Sequence, residues 1–195
     1  MTEPRIADHP IDAHILERWS PRSFDASELT EAELNTLFEA ARWAPSAYNY
    51  QPWRFAWALR GDAYWDDYVS ALMPFNASWA SKASALLFIL SDRMIVPPGK
   101  SEPQPAGTAS FDAGAAWGLM ALQATKLGLS THAMAGFDPV RAAQVTHAGD
   151  RYKVEVAVAI GRRGDVSALP EALQSREGPS GRLPVKEISF NGRRA

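Results

Sequence analysis

The sequence predicts an α+β fold, a mixed sheet with helices on both of its faces. Two stretches alternate as half-buried strands do: Trp53, Phe55, Trp57 and Leu59 with Arg54, Ala56, Ala58 and Arg60, and Tyr152, Val154, Val156, Val158 and Ile160 with Lys153, Glu155, Ala157 and Ala159. Between them Ala85-Leu86-Leu87-Phe88-Ile89-Leu90 is apolar on both faces, which places it at the centre of a sheet. Segments with helical spacing are interleaved with these strands, and the run from Phe111 to Leu127 is the longest of them.

In chain order, Asp8 to Glu17 is expected to be a short helix that delivers Arg18. Thr30-Glu31-Ala32-Glu33 has the form of a capping box, in which hydroxyl and carboxylate each satisfy an orphan amide at a helix start. Leu34, Leu37, Phe38 and Ala41 follow at helical spacing, and Pro45 stops the element. After the first strand, Gly61-Asp62 turns the chain into a helix from Ala63 to Leu72, with Tyr64, Tyr68 and Leu72 inward. Asp92 to Thr108 holds four prolines and two glycines and reads as a loop or lid. The Phe111 to Leu127 helix is apolar nearly all round and closes at Gly128, a C′ glycine. A helix without a solvated face needs cover from a second body, and Ala113, Gly114, Ala116, Gly118 and Ala121 leave room for close approach, so a homodimer through this helix is expected. Ser130 to Ala135 is a strand, and Asp138-Pro139 opens the next helix with an N-cap and an N1 proline. Past Gly161 the chain turns to Gly, Pro and Arg, with one further strand expected over Val185 to Phe190. With no repeat and no clean linker, one domain over 1–195 with an extended C-terminal arm over 165–195 is expected.

Composition removes several function classes. A net charge of −2 and a pI near 6.1 argue against bulk electrostatic binding to nucleic acid. Zero cysteines exclude disulfides, thiolate nucleophiles and cysteine-based metal or Fe–S sites. His9, His14, His132 and His147 have no ligand spacing, so no metal site is expected. No basic, then apolar, leader opens the sequence and Ala85 to Leu90 is too short to span a bilayer, so the expectation is a cytoplasmic protein without a membrane partner. Gly99-Lys100-Ser101 copies the end of a P-loop without its first glycine.

Two segments are poorly explained by packing alone. Arg18-Trp19-Ser20-Pro21-Arg22-Ser23-Phe24 presents two cations and two hydroxyls on a stretch that Pro21 keeps from being a plain helix. The guanidinium fork with an adjacent hydroxyl suits phosphate oxygens. Ala44-Pro45-Ser46-Ala47-Tyr48-Asn49-Tyr50-Gln51-Pro52-Trp53 sets Ser46, Asn49 and Gln51 between prolines, giving directed hydrogen bonds at low entropic cost. An anionic end and a flat, hydrogen-bonding end is the ligand chemistry that such a pair serves.

In this order and spacing the segments resemble the nitroreductase family of FMN-dependent oxidoreductases. The resemblance runs from about Ile11 to Ile188 and takes in Asn76, the long helix ending at Leu127-Gly128-Leu129, Met134-Ala135-Gly136-Phe137-Asp138 and Arg182-Leu183-Pro184. It implies FMN as cofactor, bound at a homodimer interface, with the C-terminal arm exchanged between partners. Arg18 and Ser20 would hold the FMN phosphate, with Trp19 beside them and Arg182 reaching it from the tail. Pro45, Ser46, Asn49 and Gln51 would border the ring and ribityl chain, and Asn76 the pyrimidine edge. Met134, Ala135 and Gly136 would line the ring, with the backbone N–H near Gly136 at N5. Arg22 and Gly136 are the catalytic candidates: Arg22 would face the edge where charge accumulates on reduction.

The implied reaction is ping-pong, with hydride passing from NADH or NADPH through flavin N5 to an electrophilic acceptor such as a nitroaromatic or quinone. The same fold also hosts dehalogenation, flavin fragmentation and azoline oxidation, and a non-catalytic FMN store or sensor is the alternative from another class. Two positions depart from the common pattern: Ala135 stands where many relatives carry an acid, and Trp79 where they carry a second lysine. Trp43, Trp79 and Trp117 are candidate aromatic walls, and His132 is expected to be a satisfied core or edge histidine.

Overall fold

The structure, a computed structural model, describes residues 5–193. Helix α1 (Ala13–Glu17) starts after Asp12, whose carboxylate accepts the His14 N–H at 2.9 Å. The expected start at Asp8 is lost because Pro10 turns the residue before it away from helical angles. Helix α2 (Glu31–Arg42) carries the capping box, with Thr30 N–H donating to Glu33 Oε2 at 2.8 Å and Glu33 N–H to Thr30 Oγ1 at 3.2 Å. Strand β1 (Trp53–Leu59) leads to helices α3 (Trp65–Ser70) and α4 (Pro74–Ala80), then to β2 (Ala85–Asp92). The expected lid carries a two-residue ladder between β3 (Met94–Ile95) and β4 (Gln104–Pro105). Next come α5 (Ala109–Lys126), β5 (Ser130–Met134), α6 (Pro139–Val145), β6 (Tyr152–Gly161), α7 (Glu171–Gln174) and α8 (Val185–Ile188).

The main sheet runs β1-β2-β6-β5, and each of its ladders is antiparallel. The parallel member that a mixed sheet requires is not among the strands of the described residues. Every residue of β2 is buried, as its two-sided apolarity demands. Leu86, Phe88 and Leu90 pack on one face with Tyr68, Trp79 and Met134, under α3, α4 and α6. Ala85, Leu87 and Ile89 pack on the other with Leu34, Leu37 and Met120, under α2 and α5. Helices therefore cover both faces of one sheet.

Three local expectations are corrected. Tyr64 is 64% exposed, because α3 begins one residue later and Trp65 takes the inward position. Val185 to Phe190 is no strand: Pro184 precedes a helical turn, and the segment pairs with no strand of the described residues. Helix α4, which the sequence leaves unassigned, starts with Pro74 in its first turn. On α5 the apolar surface is divided. Ala113, Ala116, Met120 and Ala124 are buried, whereas Phe111 is 80% exposed and a Cβ built on Gly114 or Gly118 meets nothing within 4 Å. Among the described residues no helix is long and apolar enough to cross a membrane.

Candidate functional site

The 18–24 segment is stitched to the exit of β6. Ser23 Oγ donates to the Asp165 carbonyl at 2.5 Å, Gly164 N–H to the Ser23 carbonyl at 3.0 Å, and Phe24 bridges Arg163. The buried Pro21 offers its carbonyl to His132 Nδ1 of β5 at 3.0 Å. Facing a carbonyl, Nδ1 is the nitrogen that carries the proton when the ring is neutral. Burial is the main cause that holds His132 below its ordinary pKa, and the Arg22 and Arg18 charges push the same way. Its ring lies on Trp79, with centroids 4.7 Å apart.

Arg18 Nη1 donates to Ser20 Oγ at 3.3 Å, so the fold brings these two side chains together. Around it the fold brings two further guanidiniums. Arg5 Nη1 donates to the carbonyls of Leu16 and Arg18, both at 2.7 Å, and its Nε to the Ser180 carbonyl at 3.1 Å. Arg182 Nη1 donates to Ser180 Oγ at 3.0 Å and to the Gly181 carbonyl at 2.8 Å. The pKa values of Arg5 and Arg18 are lowered by burial first, then by Arg182, and Arg18 also by Arg5. None of the three joins an ion pair among the described residues. Cations brought together without an ion pair favour an anion among them. Arg5 has no motif around it, so nothing in the sequence singles it out. Trp19 lies under the Arg163 guanidinium at 5.9 Å, in a cavity of about 460 Å³ that Arg5, Thr125, Gly128 and Ser130 also line.

The other end of this half-site is a strap after β5. The Gly136 carbonyl accepts from Met73 N–H at 3.1 Å and from Asn76 Nδ2 at 2.9 Å, and Asp138 N–H donates to the Ala71 carbonyl at 2.8 Å. A Cβ at Gly136 would stand 2.5 Å from Asn76 Nδ2, so any other residue here must push that amide off the Gly136 carbonyl. Ala135 is exposed, while the Met134 side chain is in the core and leaves only its backbone to a ligand. Trp79 is 1% exposed and its Nε1 lacks a hydrogen-bond partner, so it underlies the site rather than walling it. Trp43, 72% exposed, is held outward by Glu39.

Pro45 to Pro52 is a strained loop. Tyr48, Asn49 and Gln51 have φ of 51°, 57° and 52°, the left-handed region that asparagine tolerates and tyrosine and glutamine rarely enter. Each strained residue costs on the order of 1 kcal/mol, so the surroundings must impose the shape. Ser46 Oγ accepts the Gln51 N–H at 2.9 Å, Gln51 Nε2 donates to the Asn49 carbonyl at 3.2 Å, and the buried Asp112 carboxylate accepts the Ala47 N–H at 3.2 Å. The Tyr50 hydroxyl donates to the Val96 carbonyl, tying the loop to the β3–β4 hairpin.

Asp112 puts this loop at the N-terminal end of α5, whereas Trp19 shares a cavity with Thr125 and Gly128 at its C-terminal end. Eighteen residues of helix separate the ends by about 27 Å. The loop also feeds β1, at the opposite edge of the sheet from β5, which carries His132. Within one chain, Arg18, Ser20, Arg22, Asn76 and Gly136 gather on one side, and Ser46, Asn49 and Gln51 lie on another.

Fold and site define an α+β protein with a cation cluster suited to phosphate and a planar, hydrogen-bonding wall delivered by separate elements. The chain belongs to the nitroreductase family, whose model matches residues 15–162. A crystal structure of an oxidoreductase containing FMN is 44% identical and covers 99% of this chain and 98% of its own, with a TM-score of 0.93. An uncharacterized 15.4 kDa protein of the ask 5′ region of Mycolicibacterium smegmatis is 34% identical over 126 residues, 64% of this chain and 81% of that one. An oxygen-insensitive NADPH nitroreductase of Helicobacter pylori is 35% identical over 89 residues, 45% of this chain and 41% of that enzyme.

Proposed function

We propose that this protein is an FMN-dependent oxidoreductase, working as a homodimer, that passes reducing equivalents from NADH or NADPH to an electrophilic acceptor such as a nitroaromatic or quinone. One observation carries this: Arg5, Arg18 and Arg182 converge, with burial first and then the Arg182 charge lowering the pKa of Arg5 and of Arg18, and none of the three joins an ion pair among the described residues. The residues present fit the cofactor. The guanidiniums and Ser20 suit its phosphate, and the exposed backbone at Ala135 before Gly136 suits the approach of a ring. Arg22 Nε is buried without a partner among the described residues, a donor that a flavin edge would use.

When bound, FMN supplies the hydride acceptor and donor, so no side chain need act as nucleophile. Arg18, Ser20 and Arg182 hold the phosphate, and Arg22 places positive charge at the ring edge. Asn76 fixes the Gly136 peptide through its carbonyl and so aims the strap's backbone N–H groups. Ser46, Asn49 and Gln51 supply the wall opposite, from the second protomer. The separation of the loop from the arginines in one chain supports that assignment, as does the open face of α5. The arm from 165 onward supports exchange: Leu183, Ile188 and Phe190 are 63%, 64% and 59% exposed, apolar groups that a partner surface would cover.

The visible spectrum of the purified protein, before and after anaerobic addition of NADH or NADPH, tests the proposal. A yellow protein bleached by one of them is expected. A colourless protein that takes up no added FMN would overturn it.

A further inference from the structure

Resting on the flavin assignment above, we infer that Glu177 is a positioning residue for Arg22, holding the turn that carries it and setting the effective charge that it presents to the flavin edge. Glu177 lies on the chain leaving α7, where its N–H donates to the Gln174 carbonyl at 3.2 Å. Its side chain is 1% exposed. Across 155 positions of sequence, Oε1 accepts the backbone N–H groups of both Arg22 and Ser23, each at 2.8 Å. A carboxylate gripping two consecutive amides fixes the direction in which the Arg22 side chain leaves the backbone.

The second oxygen is used differently. Oε2 has no hydrogen-bond partner among the described residues, and Arg22 Nη1 stands 3.9 Å away, at the edge of ion-pair range. Arg22 Nε is likewise buried and unpartnered. A buried carboxylate oxygen without a donor and a buried guanidinium N–H without an acceptor are both unfavourable if nothing else completes them. The pair is close enough for the anion to damp the cation, yet too loose to consume its donors. Arg22 remains available to a ligand, but with its field reduced by a fixed negative neighbour.

The sign follows directly. Positive charge at the ring edge favours the reduced, anionic flavin, so the Glu177 charge should hold the flavin potential down. Glu177→Gln keeps an oxygen for the two N–H groups and removes the charge; Glu177→Ala removes both. For Glu177→Gln the expected result is a more positive midpoint potential of bound FMN in an anaerobic dye titration, with FMN affinity within about twofold of the parent. For Glu177→Ala FMN affinity should fall at least about tenfold. An unchanged potential in Glu177→Gln would overturn the charge role. A positive shift that persists in the Arg22→Ala background would show that Arg22 does not mediate it, and would also overturn the inference.

A cofactor-free measurement separates this inference from the flavin assignment. In the apoprotein, the Arg22 Nε–H NMR resonance should move in Glu177→Gln. If it stays in place, the pairing is refuted whatever the protein binds. If it moves but the parent binds no FMN, the flavin assignment fails, the potential-setting role falls with it, and the Glu177–Arg22 pairing stands.

Discussion

Gly136 accepts two hydrogen bonds at its carbonyl and has no room for a Cβ beside Asn76 Nδ2. Gly136→Ala is therefore expected to destabilise the fold by about 1–3 kcal/mol, as a lowered urea midpoint, because the strap must shift or Asn76 must let go. His132 makes a second prediction. Its folded pKa lies below the ordinary 6.5, so the unfolded chain binds more protons in that window and stability must rise with pH through it. Its contribution is whole above the ordinary value and is lost as pH falls through the folded one. Melting temperatures followed from neutrality down to about pH 5 should drop less steeply in His132→Gln than in the parent. A parallel pair of curves would show that another group governs the acid limb. At this scale the sequence marked Arg18, Ser20 and Arg22 as candidates through their local pattern, and Gly136 through the family resemblance. It was silent on Arg5 and Glu177, whose partners lie across the fold with no local pattern to mark them.

Helix α2 was legible from end to end because its capping box, apolar spacing and terminating proline agree. Thr30→Ala removes the hydroxyl that accepts the Glu33 N–H, and should cost about 1 kcal/mol, read as a lower thermal midpoint with an unchanged spectrum of secondary structure. Strands β1 and β6 were equally plain, since alternation over seven or more residues leaves few other solutions. Short elements were not: α4, α7 and α8 span too few turns to display a period. The Pro45 to Pro52 loop was recognised by composition, but its left-handed angles at Tyr48 and Gln51 were not, because they are imposed by Asp112 and Ser46 against local preference.

In the whole molecule the two halves of the candidate site lie at opposite ends of α5 in one chain, which is why the proposed site draws on both protomers of the proposed dimer. Mixing offers a direct check. Arg18→Ala and an Asn49→Ala, Gln51→Ala double variant should each retain little FMN alone. Unfolded together and refolded at equal concentration, they should recover about a quarter of parental occupancy, since half of randomly formed dimers are mixed and each holds one intact site of two. No recovery would place both segments in the same chain's site. The family model reaches only to residue 162, and the arm beyond it carries Glu177 and Arg182.

By itself the sequence determined the four strands of the main sheet, the principal helices and the two polar segments at 18–24 and 44–53, because each rests on periodicity, capping or local composition that the chain carries within a few residues. Only the tertiary structure decided that the sheet of the described chain is antiparallel, that Trp79 is buried beneath His132, that Arg5 and Glu177 bond the 18–23 segment, and that the amide loop stands apart from the arginines. Those outcomes depend on which distant elements pack together, and burial and charge pairing across the fold are settled only when the core closes.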